Sequence, residues 1–174
     1  MIGLKRGIVK LTPYQKEWAK EFQNEKLRLE EILGNNALII EHCGSTSIVG
    51  MKAKPVIDVL VGVKTVKKEG RKCEKILDDL ANYFSRNAAF PKKDRFVVAK
   101  GNDVSRTHYI HIVKYNGAIW KKTLFFRDYL RTHDKAAQEY SDLKDDLHKK
   151  HPNERRTYTK NKSVFVRGIL KKMK

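Results

Sequence analysis

The segment Glu41-His42-Cys43-Gly44-Ser45-Thr46-Ser47, followed by Lys54 and Asp58, brings together the residue types from which a phosphate-handling site is built. Twelve residues separate Ser45 from Asp58. Gly44 lets the backbone come close to a ligand. Ser45 and Thr46 sit where a short helix would begin, so free N–H groups and the helix dipole there favour a phosphate. Lys52 and Lys54 could add positive charge. Asp58 stands in the run PVIDVLVGV, which is otherwise built for burial, and an ionised carboxylate there is costly unless it is paired or bound to a metal. The structural alternative is a plain turn, with Asp58 salt-bridged to Lys54 or Arg106.

Two further clusters could complete such a site. In Thr107-His108-Tyr109-Ile110-His111, strand alternation places Tyr109 and His111 on one face and His108 and Ile110 on the other. His111 could replace a carboxylate near Asp58, serve as a base or hydrogen-bond a phosphate, or be only a structural histidine. Glu41 and His42 point to opposite faces, and Glu41 is the better metal partner for Asp58 by its chemistry. In Phe126-Arg127-Asp128-Tyr129-Leu130-Arg131, Arg127 and Arg131 share a helical face, and two guanidinium forks suit a triphosphate or phosphodiester. An ordinary Asp128–Arg131 pair is the alternative. Tyr140 with Lys144, and Tyr158 with Lys162, repeat a tyrosine–lysine pair at helical spacing. Such pairs could stack a base and hold its phosphate, or simply pack a tyrosine under a snorkelling lysine. Cys43 and Cys73 are 30 residues apart and form neither a disulfide framework nor a zinc motif.

The elements that must position these residues read as follows. Thr12-Pro13-Tyr14-Gln15 has the form of a helix start, with Thr12 as cap. Tyr14, Trp18, Phe22, Leu29, Ile32 and Leu33 continue it as an amphipathic helix of about five to six turns that stops at Gly34. Residues 37–42 and 55–63 read as strands, the second bounded by Pro55 and Gly62. Residues 66–84 read as a helix. Residues 95–100 and 107–114 form a hairpin through Gly101-Asn102-Asp103. Three helices follow, over 119–132, 134–150 and 153–172, with Asp134 and Asn153 as caps. The expected fold class is α+β: one domain over residues 1–174, with a mixed sheet flanked by helices and helices at its C-terminal end.

The chain has 174 residues, enough for one domain with a real core. Its 38 Lys and Arg outweigh 20 Asp and Glu, giving a net charge of +18, and residues 114–174 alone hold 17 basic against 7 acidic side chains. That field favours anionic partners such as nucleotides or nucleic acid. Collagenous and low-complexity classes are excluded by only 10 Gly and 4 Pro. No apolar run reaches the length of a membrane span or a signal peptide, so a cytoplasmic location is expected.

The spacing Cys43-Gly44-Ser45 to Asp58-Val59 resembles the signature of the nucleotidyltransferase superfamily, in which a second acid follows the first by two positions. Here that position is Leu60. Over nearly the whole chain, from about Val9 to Leu170, the sequence resembles the GrpB-like family. The resemblance is carried by the Trp18 helix, by Glu41 to Ser47 with Gly50, by Lys54-Pro55-Val56-Ile57-Asp58, by Arg106-Thr107-His108 with His111, by Phe126 to Arg131, by Tyr140 with Leu143-Lys144, and by Tyr158 with Lys162. It implies a nucleotidyltransferase-like fold. One expectation is magnesium-dependent nucleotidyl transfer, with Asp58, Ser45 and His111 catalytic, and magnesium on Asp58 and Glu41. Phosphates would then rest on Gly44, Ser45, Thr46, Lys54, Arg127, Arg131, Lys144, Tyr158 and Lys162. The other expectation, prompted by Leu60, is a non-catalytic module for a nucleotide, a coenzyme A precursor or a nucleic-acid end.

Overall fold

A computed structural model describes residues 2–5, 7–86, 94–102 and 104–173. Its elements in chain order are β1 (Leu4–Lys5), α1 (Glu17–Leu33), β2 (Ile39–Cys43), β3 (Ile57–Val63), α2 (Arg71–Asp78), β4 (Tyr83–Ser85), β5 (Arg95–Gly101), β6 (Ser105–Lys114), α3 (Ala118–Thr132), α4 (Asp134–Lys150) and α5 (Arg155–Leu170). Among the described residues the strands form one sheet in the order β2-β3-β6-β5-β4, with β1 paired to the start of β6. The β3–β6 pair is parallel and the others are antiparallel, so the sheet is mixed and the fold is α+β, as the element order predicts.

The sheet separates two environments. Ile57, Val59, Val61, Val63, Ile110 and Ile112 point to one face, where Trp18, Phe22, Leu29 and Leu33 of α1 and Cys73 and Leu77 of α2 close the main core. Strand period and helix period therefore meet on one surface. The opposite face carries Cys43, Leu60 and Val113 under Trp120 of α3. It also presents Glu41, Asp58, Tyr109 and His111, because residues paired in register share a face. Among the described residues, no helix is long and apolar enough to cross a membrane.

Several boundaries differ from the sequence reading. Thr12 does not cap α1. Its N–H donates to the Ala53 carbonyl at 2.9 Å and its own carbonyl accepts from the Ala53 N–H at 3.0 Å, so a long-range bridge uses the groups that a cap would need. The helix starts at Glu17 instead. The helix expected over 66–84 is a wide turn at Val66–Gly70 followed by α2, and Tyr83–Ser85 leaves it to pair with β5. What draws Tyr83 away is its hydroxyl, which donates to the buried Glu25 at 2.8 Å. Gly62 lies inside β3, not at its end, since a Cβ there would fall 2.9 Å from the Trp120 ring. The side chains of Asp134 and Asn153 form no helix cap. Asp103, the last residue of the expected hairpin turn, lies outside the described residues.

Two histidines are locked into the core face. The His42 ring stacks on Phe22 at 4.6 Å, and its Nε2 is 3.0 Å from the Thr46 hydroxyl. His108 is 3 % exposed. Burial pushes both imidazoles down to about 4 from the ordinary 6.5. Between those values the unfolded chain binds more protons than the folded one, so stability rises with pH from about 4 to about 6.5 and is lost on acidification through that window. At 1.36 kcal/mol per unit, each histidine contributes about 3 kcal/mol. His108→Gln is expected to remove roughly half of that slope from a melting-temperature profile against pH.

Candidate functional site

A cavity of about 130 Å³ opens between the sheet and the C-terminal helices. At roughly 10–15 Å³ per water it takes on the order of ten waters, enough for a phosphorylated head group and less than a whole nucleoside triphosphate. Its floor is Asp58, one position in from the start of β3, and Tyr109 of β6, opposite it in register. Ser45 and Thr46 come from the turn after β2, Lys54 from the approach to β3, Lys144 from α4, and Tyr158 and Lys162 from α5. Arg106, Leu4, Lys5 and Ile8 complete the wall. Lys144 and Lys162 are helical neighbours of Tyr140 and Tyr158, and their tyrosine–lysine spacing delivers both amines to one cavity.

The charge within this cavity is lopsided. Asp58 is the one carboxylate among the described lining residues, against Lys5, Lys54, Arg106, Lys144 and Lys162. The Asp58 carboxylate is about a third exposed, and its Oδ1 lies 3.3 Å from His111 Nε2. Burial raises the Asp58 carboxyl, but the hydrogen bond and charge of His111, followed by Lys54 and Lys162, outweigh it and hold the group below the ordinary carboxylate value. Lys54 and Lys162 are half-buried and place their amines 5.4 and 4.8 Å from the centre of the Tyr158 ring. Lys144 is deeper, at 1 % exposure. Its amine donates to the Lys52 carbonyl and lies 4.9 Å from the Tyr140 ring centre. Burial, and next the charge of Lys162, push the Lys144 amine down to about 7. Lys52 turns outward to Asp145 at 2.6 Å and contributes its carbonyl, not its charge.

The turn after β2 differs from its sequence reading. Ser45–Ser47 is a single 3-10 turn, too short to carry a useful helix dipole. Gly44 makes room for a neighbouring side chain: it has φ +71°, and a Cβ there would strike Asp58 Oδ2 and lie 3.0 Å from the Asp58 Cβ. Gly44→Ala therefore forces the carboxylate off its present position. It is expected to cost more than the roughly 1–3 kcal/mol that such backbone alone imposes on a non-glycine residue, read as a lowered denaturation midpoint.

Arg127 and Arg131 lie outside the Asp58 cavity and do not line its wall. Arg127 Nη1 donates to Glu41 Oε2 and to the His42 carbonyl, both at 2.8 Å, and its Nε donates to Asp128 at 2.7 Å. Arg131 Nη2 donates to the Ser47 carbonyl at 2.7 Å. The two guanidinium groups hold the two ends of the 42–47 turn. The same contacts engage Glu41. It shares the face of Asp58 but pairs in register with Leu60, two pairs further along. No group of three or more His, Cys, Asp or Glu among the described residues could hold a metal ion. One carboxylate hydrogen-bonded to a histidine, among lysines, does not fit the magnesium pair that the superfamily resemblance implies. Cys43 is buried, its Sγ–H donates to the Asp58 carbonyl at 3.4 Å, and burial raises its thiol well above the ordinary value, so it is no activated nucleophile.

The structure thus gathers Ser45, Thr46, Lys54, Asp58, Lys144, Tyr158 and Lys162, with His111 in contact with Asp58, and leaves Glu41, Arg127 and Arg131 in an adjoining cleft. Sequence reasoning missed Leu4, Lys5 and Ile8, since a two-residue strand has no period to detect. It named Arg106 only as a partner for Asp58.

The sequence model of the family described as GrpB protein matches residues 8–172. The glutamate-rich protein GrpB of Alkalihalophilus pseudofirmus is 36% identical over 176 residues, covering 99% of this chain and 100% of that one. The UPF0157 protein YqkA of Bacillus subtilis is 33% identical over 159 residues, covering 91% of this chain and 45% of that one. The crystal structure of conserved protein GrpB from Enterococcus faecalis superposes with a TM-score of 0.79 at 33% identity, covering 94% of this chain and 98% of that one.

Proposed function

The chain belongs to the GrpB family, and from that premise we propose that it binds a phosphate-bearing small molecule, of the nucleotide or coenzyme A precursor class, whose phosphate end seats in the Asp58 cavity. The carrying observation is the imbalance there: five lysine and arginine side chains and one carboxylate line a single small cavity. Like charges held together in a sheltered volume repel, and a bound anion removes that cost. Lys54 and Lys162 stand half-buried and meet the phosphate. The Asp58–His111 pair accepts a hydrogen bond from a hydroxyl or amine of the same ligand. Positive side chains take the place of a metal pair.

Calorimetry with inorganic triphosphate, nucleoside triphosphates and dephospho-coenzyme A, with and without magnesium, tests this reading. Binding is expected to persist in a metal chelator and to weaken as salt rises. Lys162→Met and Lys54→Met should each weaken it by about tenfold or more, since a charge-assisted contact is worth roughly 1.5–3 kcal/mol. Binding that needs magnesium and is indifferent to both variants would sink the proposal. The Gly44-Ser45 to Asp58 spacing favours a second reading, nucleotidyl transfer. An assay for pyrophosphate release from a nucleoside triphosphate, with Asp58→Asn as control, decides between binding and turnover. A short RNA in the same titration separates a small-molecule site from a nucleic-acid surface.

A further inference from the structure

The cavity grades inward from charged to sheltered amines. At its mouth Lys54 and Lys162 are half-buried and flank the Tyr158 ring. Behind them Lys144 is buried, with Tyr140 beneath its amine. Among the described residues no carboxylate forms an ion pair with Lys144, and its amine hydrogen-bonds only to the Lys52 carbonyl. Its other close partner is the Tyr140 ring, and the nearest carboxylate charge, Asp145, is already paired with Lys52. The Asp58–His111 pair, a hydrogen-bonded acid–base group, belongs to the same site.

We infer that Lys144 is a nucleophilic amine that forms an imine with a phosphorylated aldehyde or ketone held in this cavity. The inference rests on the phosphate-binding reading of the site and narrows its ligand class. The ligand's phosphate engages Lys54 and Lys162 at the mouth, and its carbonyl carbon reaches the inner amine. The Lys144 nitrogen lone pair attacks that carbon. A C–N bond forms, the carbonyl oxygen takes up a proton, the nitrogen releases one, and a carbinolamine results. The C–O bond then breaks, water departs and the nitrogen loses its second proton, leaving a C=N bond. Aldehyde plus amine thus gives imine plus water, with no change in oxidation state. The second proton that the nitrogen sheds balances the one that the departing hydroxyl takes up to leave as water.

A nucleophilic lysine must be uncharged, and sheltered surroundings beside a second cation provide that. An exposed lysine, near 10.4, has an uncharged fraction at neutral pH about three orders of magnitude smaller than a lysine near 7. The charged groups facing Lys144 are Lys162, Asp145 and Lys52. Asp145 is itself paired with Lys52.

The probe is pyridoxal 5′-phosphate, a phosphorylated aldehyde, incubated with the full chain and trapped by borohydride, with peptide mapping by mass spectrometry. The expected result is one dominant adduct on Lys144, exceeding any surface lysine by about tenfold or more. Pyridoxal without the phosphate should label Lys144 at least about tenfold less, since it lacks the charged anchor. Lys144→Arg keeps a cation but cannot form the imine, and should lose the dominant adduct. Mapping of the unaltered chain keeps the test decisive even if a variant folds poorly. Triphosphate binding with label scattered over surface lysines overturns the imine and leaves the phosphate reading standing. Absence of both binding and Lys144 labelling overturns both readings.

Discussion

Arg127→Met is expected to lower the melting temperature by roughly 5–10 °C and to disorganise the 42–47 turn, although Arg127 does not touch the proposed ligand. The guanidinium is buried and saturated: Glu41 and the His42 carbonyl share Nη1, and Asp128 takes Nε and Nη2. Removing one partner of a buried pair costs about 3–5 kcal/mol when the other is left buried and unpaired. Glu41 is a third exposed and Asp128 about half exposed, so water relieves part of that loss and about 2–3 kcal/mol remains. Methionine fills similar volume, which keeps a cavity term out of the comparison. Two controls separate positioning from packing. Glu41→Gln leaves an acceptor for Nη1 and should cost less than half as much. Arg131→Met frees the Ser47 carbonyl at the other end of the same turn. Both arginine variants are expected to weaken triphosphate binding through the displaced turn. Arg127→Lys, a cation without the fork, should not restore it. Triphosphate affinity unchanged in Arg127→Met would show that the turn holds its shape without the clamp.

The same arginines show where sequence legibility ends. Periodicity placed α1, β2, β3, the β5–β6 pair and α3 to α5 within a few residues, because each buries one face, α4 and α5 against α3 and each other. It misjudged α2 because Tyr83 obeys Glu25, a residue 58 positions away. Within the site, helical spacing set Lys144 and Lys162 each on one face with its own tyrosine, so the cavity was legible where one element sets the geometry, whereas Asp58 and His111 meet only through the β3–β6 pairing. Arg127 and Arg131 share a helical face as expected, but what that face meets is fixed by the path of β2, and no local pattern encodes it. Gly44 misled for a similar reason. Its positive φ and missing Cβ serve Asp58, which is adjacent only after β2 and β3 pair.

Lys144→Met should act in the opposite direction and make the ligand-free protein more stable. The unfolded chain holds this amine near 10.5, whereas the folded chain holds it near 7, so below about 7 both states are charged and folding bears the full cost of burying a cation. At 1.36 kcal/mol per unit that cost is on the order of 5 kcal/mol. Methionine removes it and loses the hydrogen bond to the Lys52 carbonyl and the cation–π contact with Tyr140, each worth about 1 kcal/mol, for a net gain of about 2–3 kcal/mol. The pH dependence carries the signature. As pH rises from about 7 to about 10.5 the folded protein sheds the proton first and the penalty fades, so the stability advantage of Lys144→Met should be largest below about 7 and nearly absent at the alkaline end. Paired denaturant titrations across that range measure it. A residue kept for the fold does not behave so, since its removal costs stability at every pH. A buried amine that weakens the resting protein is retained for what it meets there, and trapping with pyridoxal 5′-phosphate should fail in the very variant that is more stable. Lower stability of Lys144→Met at all pH values would return Lys144 to the structural lysines and leave the cavity as an anion site alone.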